Sequence, residues 1–222
     1  MLFKNRSEAG MLLADALKGY AGPDTIVLAL PRGGVVVGYE VAKALRAPLD
    51  VIITRKIGAP GIPEYAIGAV AENGEVLLND EEIKLLAVSP SYLREEIKHQ
   101  KSEIERRKIL YRGGRQLPSL KGRRVILVDD GIATGFTVKT SIRAVRAEKP
   151  REIVLAVPVA PDDVIDELAA TVDAVVCLAT PQPFIAVGAW YQRFEQTTDD
   201  EVKSILAATG KASSTRPSSP FS

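Results

Sequence analysis

The chain has 222 residues, 46% hydrophobic and 26% charged, the composition of a soluble globular protein able to build one large domain. A net charge of +1 offers no basic excess for nucleic acid or a membrane surface, and no apolar run approaches the ~20 residues that span a bilayer. With the single Cys177 no internal disulfide can form, and Lys4 and Arg6 precede no apolar leader, so a cytoplasmic protein is expected, with no nucleic-acid or membrane partner.

In chain order, Ser7 is expected to cap a helix carrying Ala9, Leu12, Leu13, Ala16 and Leu17 at helical spacing. Ile26 to Leu30 reads as a buried strand, Pro31-Arg32-Gly33-Gly34 as a turn, and Val35 to Arg46 as a helix. Asp50 to Thr54 is a second buried strand, followed by a loop with Pro60, Gly61 and Pro63. Tyr65 to Ala71 and Glu75 to Leu78 flank Asn73-Gly74, a strong hairpin signal.

From Ser91 to about Arg112 the chain is highly charged and helical, with Glu103 and Arg107 at i,i+4 and a narrow apolar stripe of Leu93, Ile97, Ile104 and Tyr111. It reads as an exposed helix with a solvated charged face, packed on the main body or on a second subunit; His99 lies on its surface. The strand-helix pattern then resumes: a strand from Arg124, helix Thr137 to Ala147, strand Ile153 to Val157, helix Asp162 to Ala170 and strand Ala174 to Leu178. This alternation implies an α/β fold, a parallel sheet with helices on both faces. Cys177, inside an apolar run, reads as a buried inert thiol.

Residues 125–137, Val-Ile-Leu-Val-Asp-Asp-Gly-Ile-Ala-Thr-Gly-Phe-Thr, carry most of the chemistry. A buried strand ends in two carboxylates, able to accept hydrogen bonds from sugar hydroxyls. Gly131 and Gly135 permit close backbone approach, while Thr134 and Thr137 put hydroxyls beside exposed N–H groups at a helix N-terminus, a place suited to phosphate. There is no Gly-Lys-Ser/Thr of a nucleoside-triphosphate loop, and no G-x-G-x-x-G dinucleotide fingerprint.

The segment resembles the 5-phosphoribosyl-1-pyrophosphate (PRPP) motif of the type I phosphoribosyltransferases. Leu30 to Gly34 is similar to that family's pyrophosphate loop, and Arg55-Lys56-Ile57-Gly58 to the strand end that begins its mobile catalytic loop. The resemblance runs over roughly residues 25–180. It implies a Rossmann-like type I phosphoribosyltransferase fold with a β-hairpin, an inserted charged helix and a small hood. One domain is then expected over 1–210, with an inserted helical segment at about 80–115, a hood at 181–210 and a disordered tail at 211–222.

It further implies that Asp129 and Asp130 bind the ribose hydroxyls, and that Gly131, Ile132, Ala133, Thr134, Gly135, Phe136 and Thr137 wrap the 5-phosphate. Pro31, Arg32, Gly33 and Gly34, with a strained or cis peptide near Pro31-Arg32, would meet the pyrophosphate together with Arg55 and Lys56. Asp129, Asp130, Arg55, Lys56 and Glu64 are the implied catalytic residues. The resemblance also implies Mg²⁺ held mainly by PRPP and water, without a direct protein ligand, and a homodimer.

The acceptor is a small, nucleobase-like molecule. Ala133 stands where the 6-oxopurine enzymes carry an acid, which disfavours hypoxanthine and guanine; adenine-type enzymes resemble the chain at Ala133-Thr134. Glu64 is either an acid-base group or an ordinary solvated loop acid. Phe184, Trp190 and Tyr191 either stack on the acceptor as a hood or simply pack. Two functions remain open: transfer of the phosphoribosyl group, or PRPP sensing without turnover. A receiver-like module is disfavoured, because its acid pair belongs near a domain's start.

Overall fold

The structure is a computed structural model and describes residues 2–213. The elements run α1 (Arg6–Ala16), β1 (Thr25–Ala29), α2 (Gly33–Leu45), β2 (Leu49–Val51), β3 (Thr54–Ala59), β4 (Ile62–Ala71) and β5 (Val76–Leu78). They continue with α3 (Asp80–Leu85), α4 (Pro90–Arg112), β6 (Arg124–Val128), α5 (Phe136–Ala147), β7 (Glu152–Val159), α6 (Asp162–Ala169), β8 (Ala174–Ala179) and α7 (Asp199–Ser213).

The apolar strands do what their composition requires. Five of them form a sheet in the order β2-β1-β6-β7-β8, and every pairing in it is parallel. Alternate side chains bury on opposite faces. Ile26, Leu28, Val125, Leu127 and Leu155 pack beneath Val138, Ile142 and Val145 of α5 and Leu168 of α6. Val27, Ile126 and Val154 pack beneath Leu13 and Leu17, and beneath Val37 and Val41 of α2.

A second, antiparallel sheet has the order β3-β4-β5. The Asn73-Gly74 hairpin joins its last two strands, with Gly74 N–H donating to Ala71 O at 2.9 Å. Ile57 and Ile67 of this sheet pack on Val88 and on Tyr92, Leu93 and Ile97 of α4. The charged helix is therefore built into the body, with Gln100, Ile104, Arg107, Tyr111 and Arg112 buried.

Several elements differ from the sequence reading. Asn5, not Ser7, caps α1 by accepting from Glu8 N–H at 2.9 Å. Helix α2 begins at Gly33, inside the expected turn. The expected strand 50–54 divides, ending in the main sheet at Val51 and starting the second sheet at Thr54. The expected loop with Pro60, Gly61 and Pro63 is a β-hairpin. Its turn needs only Pro60 and Gly61, and Pro63 falls in the exposed first half of β4, where a missing N–H is tolerated. A short helix, α3, precedes the charged one.

Helix α7 was not read from the sequence, although Thr198 and Glu201 form a capping box. Thr198 N–H donates to Glu201 Oε2 at 2.6 Å, and Glu201 N–H to Thr198 Oγ1 at 3.2 Å. The helix takes in the first three residues of the expected tail, 211–213; the remainder, 214–222, lies outside the described residues.

Candidate functional site

From β1 the chain moves to β2 on one side, and β6 later joins β1 on the other. Strand order thus reverses between β1 and β6, where an open parallel sheet forms a crevice beyond its strand ends. A cleft of ≈ 630 Å³ lies there, lined by Pro31, Arg55, Lys56, Glu64, Asp129 and the loop residues Gly131 to Thr137. A second cavity of ≈ 550 Å³, lined in part by Gly22, Pro23, Lys43, Arg46, Pro48 and Arg123, contains none of these residues.

The acid pair sits where β6 ends. Burial pushes the Asp129 carboxyl well above the ordinary carboxylate range, and the neighbouring Asp130 charge pushes it further. Asp129 Oδ1 accepts the Asp130 N–H at 2.8 Å. Asp130 turns away from the cleft: its Oδ2 accepts from Arg6 Nε at 2.6 Å, the two side chains being 15% and 11% exposed. Burial raises the Asp130 carboxyl as well, while Arg6 opposes the shift. A Cβ on Gly33 would stand 1.8 Å from Asp130 Oδ2, and one on Gly34 2.9 Å from Asp129 Oδ1, so both positions require glycine.

After the acids, Ile132 N–H donates to Val159 O at 3.0 Å and pins the loop to β7. Gly135 then caps α5 with φ 75° and no capping side chain. The backbone N–H groups of residues 133–138 have no hydrogen-bond partner among the described residues. They present an unpaired row of donors, with the positive end of the α5 dipole, at the floor of the cleft. Thr134 and Thr137 line the same floor.

The opposite wall is cationic. Arg55 and Lys56 lie within strand β3, not at a loose strand end. Burial lowers the Arg55 pKa, and the adjacent Arg107 guanidinium lowers it further. Arg55 Nε donates to Gln100 Oε1 at 3.0 Å. Arg107 is only 8% exposed and lines the cleft, paired with Glu103 at 2.9 Å. Its spacing to Glu103 reads as an ordinary surface helix pair, and nothing else in the sequence signals this role. Lys56 Nζ meets Glu64 Oε2 at 2.5 Å. Glu64 is 89% exposed, and the hydrogen bond from Lys56 holds its carboxyl below the usual range.

Other expected residues lie elsewhere. The Pro31-Arg32 peptide is cis. The Arg32 side chain reaches toward α7, 3.8 Å from Asp199, and Arg32 is not among the residues lining the cleft. Phe184, Trp190 and Tyr191 pack with Phe3 and Phe194 in a separate cluster. The Tyr191 ring is 5.4 Å from Phe3 and 4.9 Å from Phe194, and its hydroxyl donates to Asp130 O at 2.5 Å. These rings buttress the acid turn from behind, while the neighbouring Val187 lines the cleft itself.

Tyr65, Asn79 and Glu82 line the cleft too; no pattern in the sequence singles them out. His99 stands on the surface 3.7 Å from Glu96. Cys177 is half-buried, its thiol donating to Ala179 O at 3.3 Å. Among the described residues no helix is long and apolar enough to cross a membrane.

Two curated sequences from strains of Mycobacterium tuberculosis, "Putative phosphoribosyl transferase MT0597" and "Putative phosphoribosyl transferase Rv0571c", are each 46% identical over 205 residues, or 92% of this chain. The chain spans about half the length of these relatives, 46% of each. The crystal structure of TT1426 from Thermus thermophilus is 45% identical and superposes with a TM-score of 0.78, over 94% of this chain and 99% of that one. Residues 4–189 match the family model described as "Phosphoribosyl transferase domain", and the chain therefore belongs to the phosphoribosyl transferase family.

Proposed function

We propose that the chain is a Mg²⁺-dependent phosphoribosyltransferase that moves the 5-phosphoribosyl group of PRPP to a nitrogenous, nucleobase-like acceptor and releases pyrophosphate. The observation that carries this reading is the unpaired row of N–H groups at residues 133–138, facing the same cleft as Asp129 and the Arg55-Lys56-Arg107 wall. A dianionic 5-phosphate fits the donor row and helix end. Ribose hydroxyls fit the Asp129 carboxylate, and a pyrophosphate fits three clustered cations.

In this reading the C1–O bond of the donor breaks, and its electron pair leaves with pyrophosphate. The acceptor nitrogen supplies the pair for the new C1–N bond. Positive character develops on the ribose as the bond breaks, and Asp129 stabilises it. Arg55 and Arg107 stabilise the leaving charge from within the wall, and Lys56 adds to it when it exchanges Glu64 for the leaving group. Mg²⁺ carried mainly by phosphate oxygens and water would neutralise pyrophosphate charge.

Glu64, ionised beside Lys56, suits a proton acceptor at the mouth of the cleft rather than an acid. Replacing it with Gln frees Lys56 for the leaving group. Steady-state kinetics of Glu64→Gln are expected to show a KM for PRPP lower by about two- to fivefold, the scale of one exposed ion pair, together with a reduced kcat. An unchanged KM would separate Glu64 from the pyrophosphate subsite.

The reading is tested by calorimetric titration with Mg-PRPP, followed by a pyrophosphate-release assay with a panel of nucleobases. Binding together with release supports transfer. Binding without release for any acceptor supports a PRPP sensor. Absence of PRPP binding at every Mg²⁺ concentration overturns both.

A further inference from the structure

Asp130 belongs to the acid pair, yet it is not among the cleft-lining residues, whereas Asp129 is. The Asp130 carboxylate is gripped from the opposite side. Arg6 Nε donates to its Oδ2 at 2.6 Å, and an Arg6 terminal nitrogen donates to Glu195 O at 2.7 Å. The Arg6 guanidinium lies over the Phe194 ring, 3.7 Å from its centroid. Tyr191 holds the Asp130 carbonyl, and the segment containing Tyr191 is zipped to the N-terminal segment. Phe3 N–H donates to Trp190 O and Gln192 N–H donates to Phe3 O, both at 2.8 Å. The approach to Gly33 leaves no room for a Cβ on that side either.

A guanidinium fixed by two hydrogen bonds and stacked on an aromatic face is a preorganised partner, not a passing surface contact. We propose that Arg6 is a positioning residue for the ligand cleft: by holding the Asp130 carboxylate toward α1, it leaves Asp129 as the member of the acid pair that faces the sugar. This rests on the proposed PRPP reading and assigns a role within it to the N-terminal segment. Arg6 also cancels one of two adjacent buried carboxylate charges, which would otherwise both repel a polyanionic ligand. The charged and titratable groups around Asp130 are Arg6, Asp129 and the Tyr191 hydroxyl, and Arg6 in turn lines a cavity with Arg193, Glu195 and Glu201.

The test is a double-mutant cycle of Arg6→Met and Asp130→Asn in the full chain, read by Mg-PRPP calorimetry, with Arg6→Lys as the conservative variant and thermal melting as the control for folding. Each single variant is expected to bind about 10- to 100-fold more weakly, the worth of a charge-assisted hydrogen bond, with Arg6→Lys nearer the wild type. The double variant is expected to bind no worse than the weaker single, because both changes break one pair. In Arg6→Met the acid limb of PRPP binding moves to higher pH, since the cation that opposed protonation is gone; loss of fold stability alone would not move it.

Additive losses overturn the inference, because they place Asp130 on the ligand independently of Arg6, and so does wild-type binding by Arg6→Met. If Arg6→Met does not fold, the same cycle is run with Arg6→Lys. Failure of the wild-type chain to bind Mg-PRPP overturns the proposed function and this inference with it. Wild-type binding with additive variants overturns this inference alone.

Discussion

Asp129→Asn is expected to weaken Mg-PRPP binding by about 10- to 100-fold, the loss of a hydrogen bond to a charged group, and to raise the melting temperature of the ligand-free chain. Both effects have one source. The carboxylate is buried beside another carboxylate, and burial first, then Asp130, raise its pKa in the folded state. A carboxyl whose folded pKa exceeds its unfolded one holds its proton better when folded. Stability therefore falls as pH rises from the ordinary carboxylate range through the raised value. That loss is complete once the pH exceeds the raised value, and Asn, which cannot ionise, removes it.

The Asn side-chain oxygen still accepts the Asp130 N–H, so the turn itself keeps its hydrogen bond. The gain in melting temperature should shrink below about pH 4, where wild-type Asp is protonated in both states. Thermal melts at pH 4 and pH 8, paired with calorimetry, check both halves. A variant that melts higher but binds PRPP like the wild type would take Asp129 out of the ligand site. One that melts lower at pH 8 would show that the carboxylate is structural.

The parts of the site that are contiguous in the chain were legible in the sequence. The β6 strand, the acid pair and the Gly-Thr loop lie within thirteen residues, and their roles follow from local rules about buried strands, close turns and helix ends. What was not legible depends on distant partners. Arg107 carries the signature of a surface helix, and only the packing of α4 on β3 makes it part of a cationic wall. Arg6 lies more than a hundred residues from Asp130, and no spacing rule connects them.

The hairpin of β3 and β4 was hidden because Pro and Gly mark a turn without giving its length. The aromatic residues 184, 190 and 191 carried two open readings, ligand hood or packing. Their contacts favour packing, because the Tyr191 ring lies against Phe3 and Phe194 and none of the three is among the residues lining the cleft.

Arg112 is the residue whose loss should cost the fold most. Its side chain is 1% exposed, and it joins α4 to the two sheets by meeting Asp50 at 3.3 Å, Val51 O at 3.2 Å, and both carboxylate oxygens of Glu72. Two buried carboxylates thus share one guanidinium. Arg112→Met keeps much of the volume but leaves each with only a backbone N–H partner, from Val51 and Ile53, and a urea unfolding midpoint should report about 3–5 kcal/mol lost at pH 8.

The sign of the pH dependence follows from Asp50. Its carboxyl is already raised by burial, against which Val51 N–H and Arg112 pull downward. Removing Arg112 raises it further, and the loss of stability, present in full above the folded pKa, recedes as acid protonates Asp50. The variant should therefore recover part of its deficit as the pH is lowered from 8. An unchanged deficit would mean that Arg112 stabilises the fold by packing its apolar stem, not by neutralising Asp50 and Glu72. Because α4 also carries Arg107 into the cleft, the same lesion should loosen the cationic wall, so that Mg-PRPP affinity falls in the Met variant even under conditions where the chain remains folded.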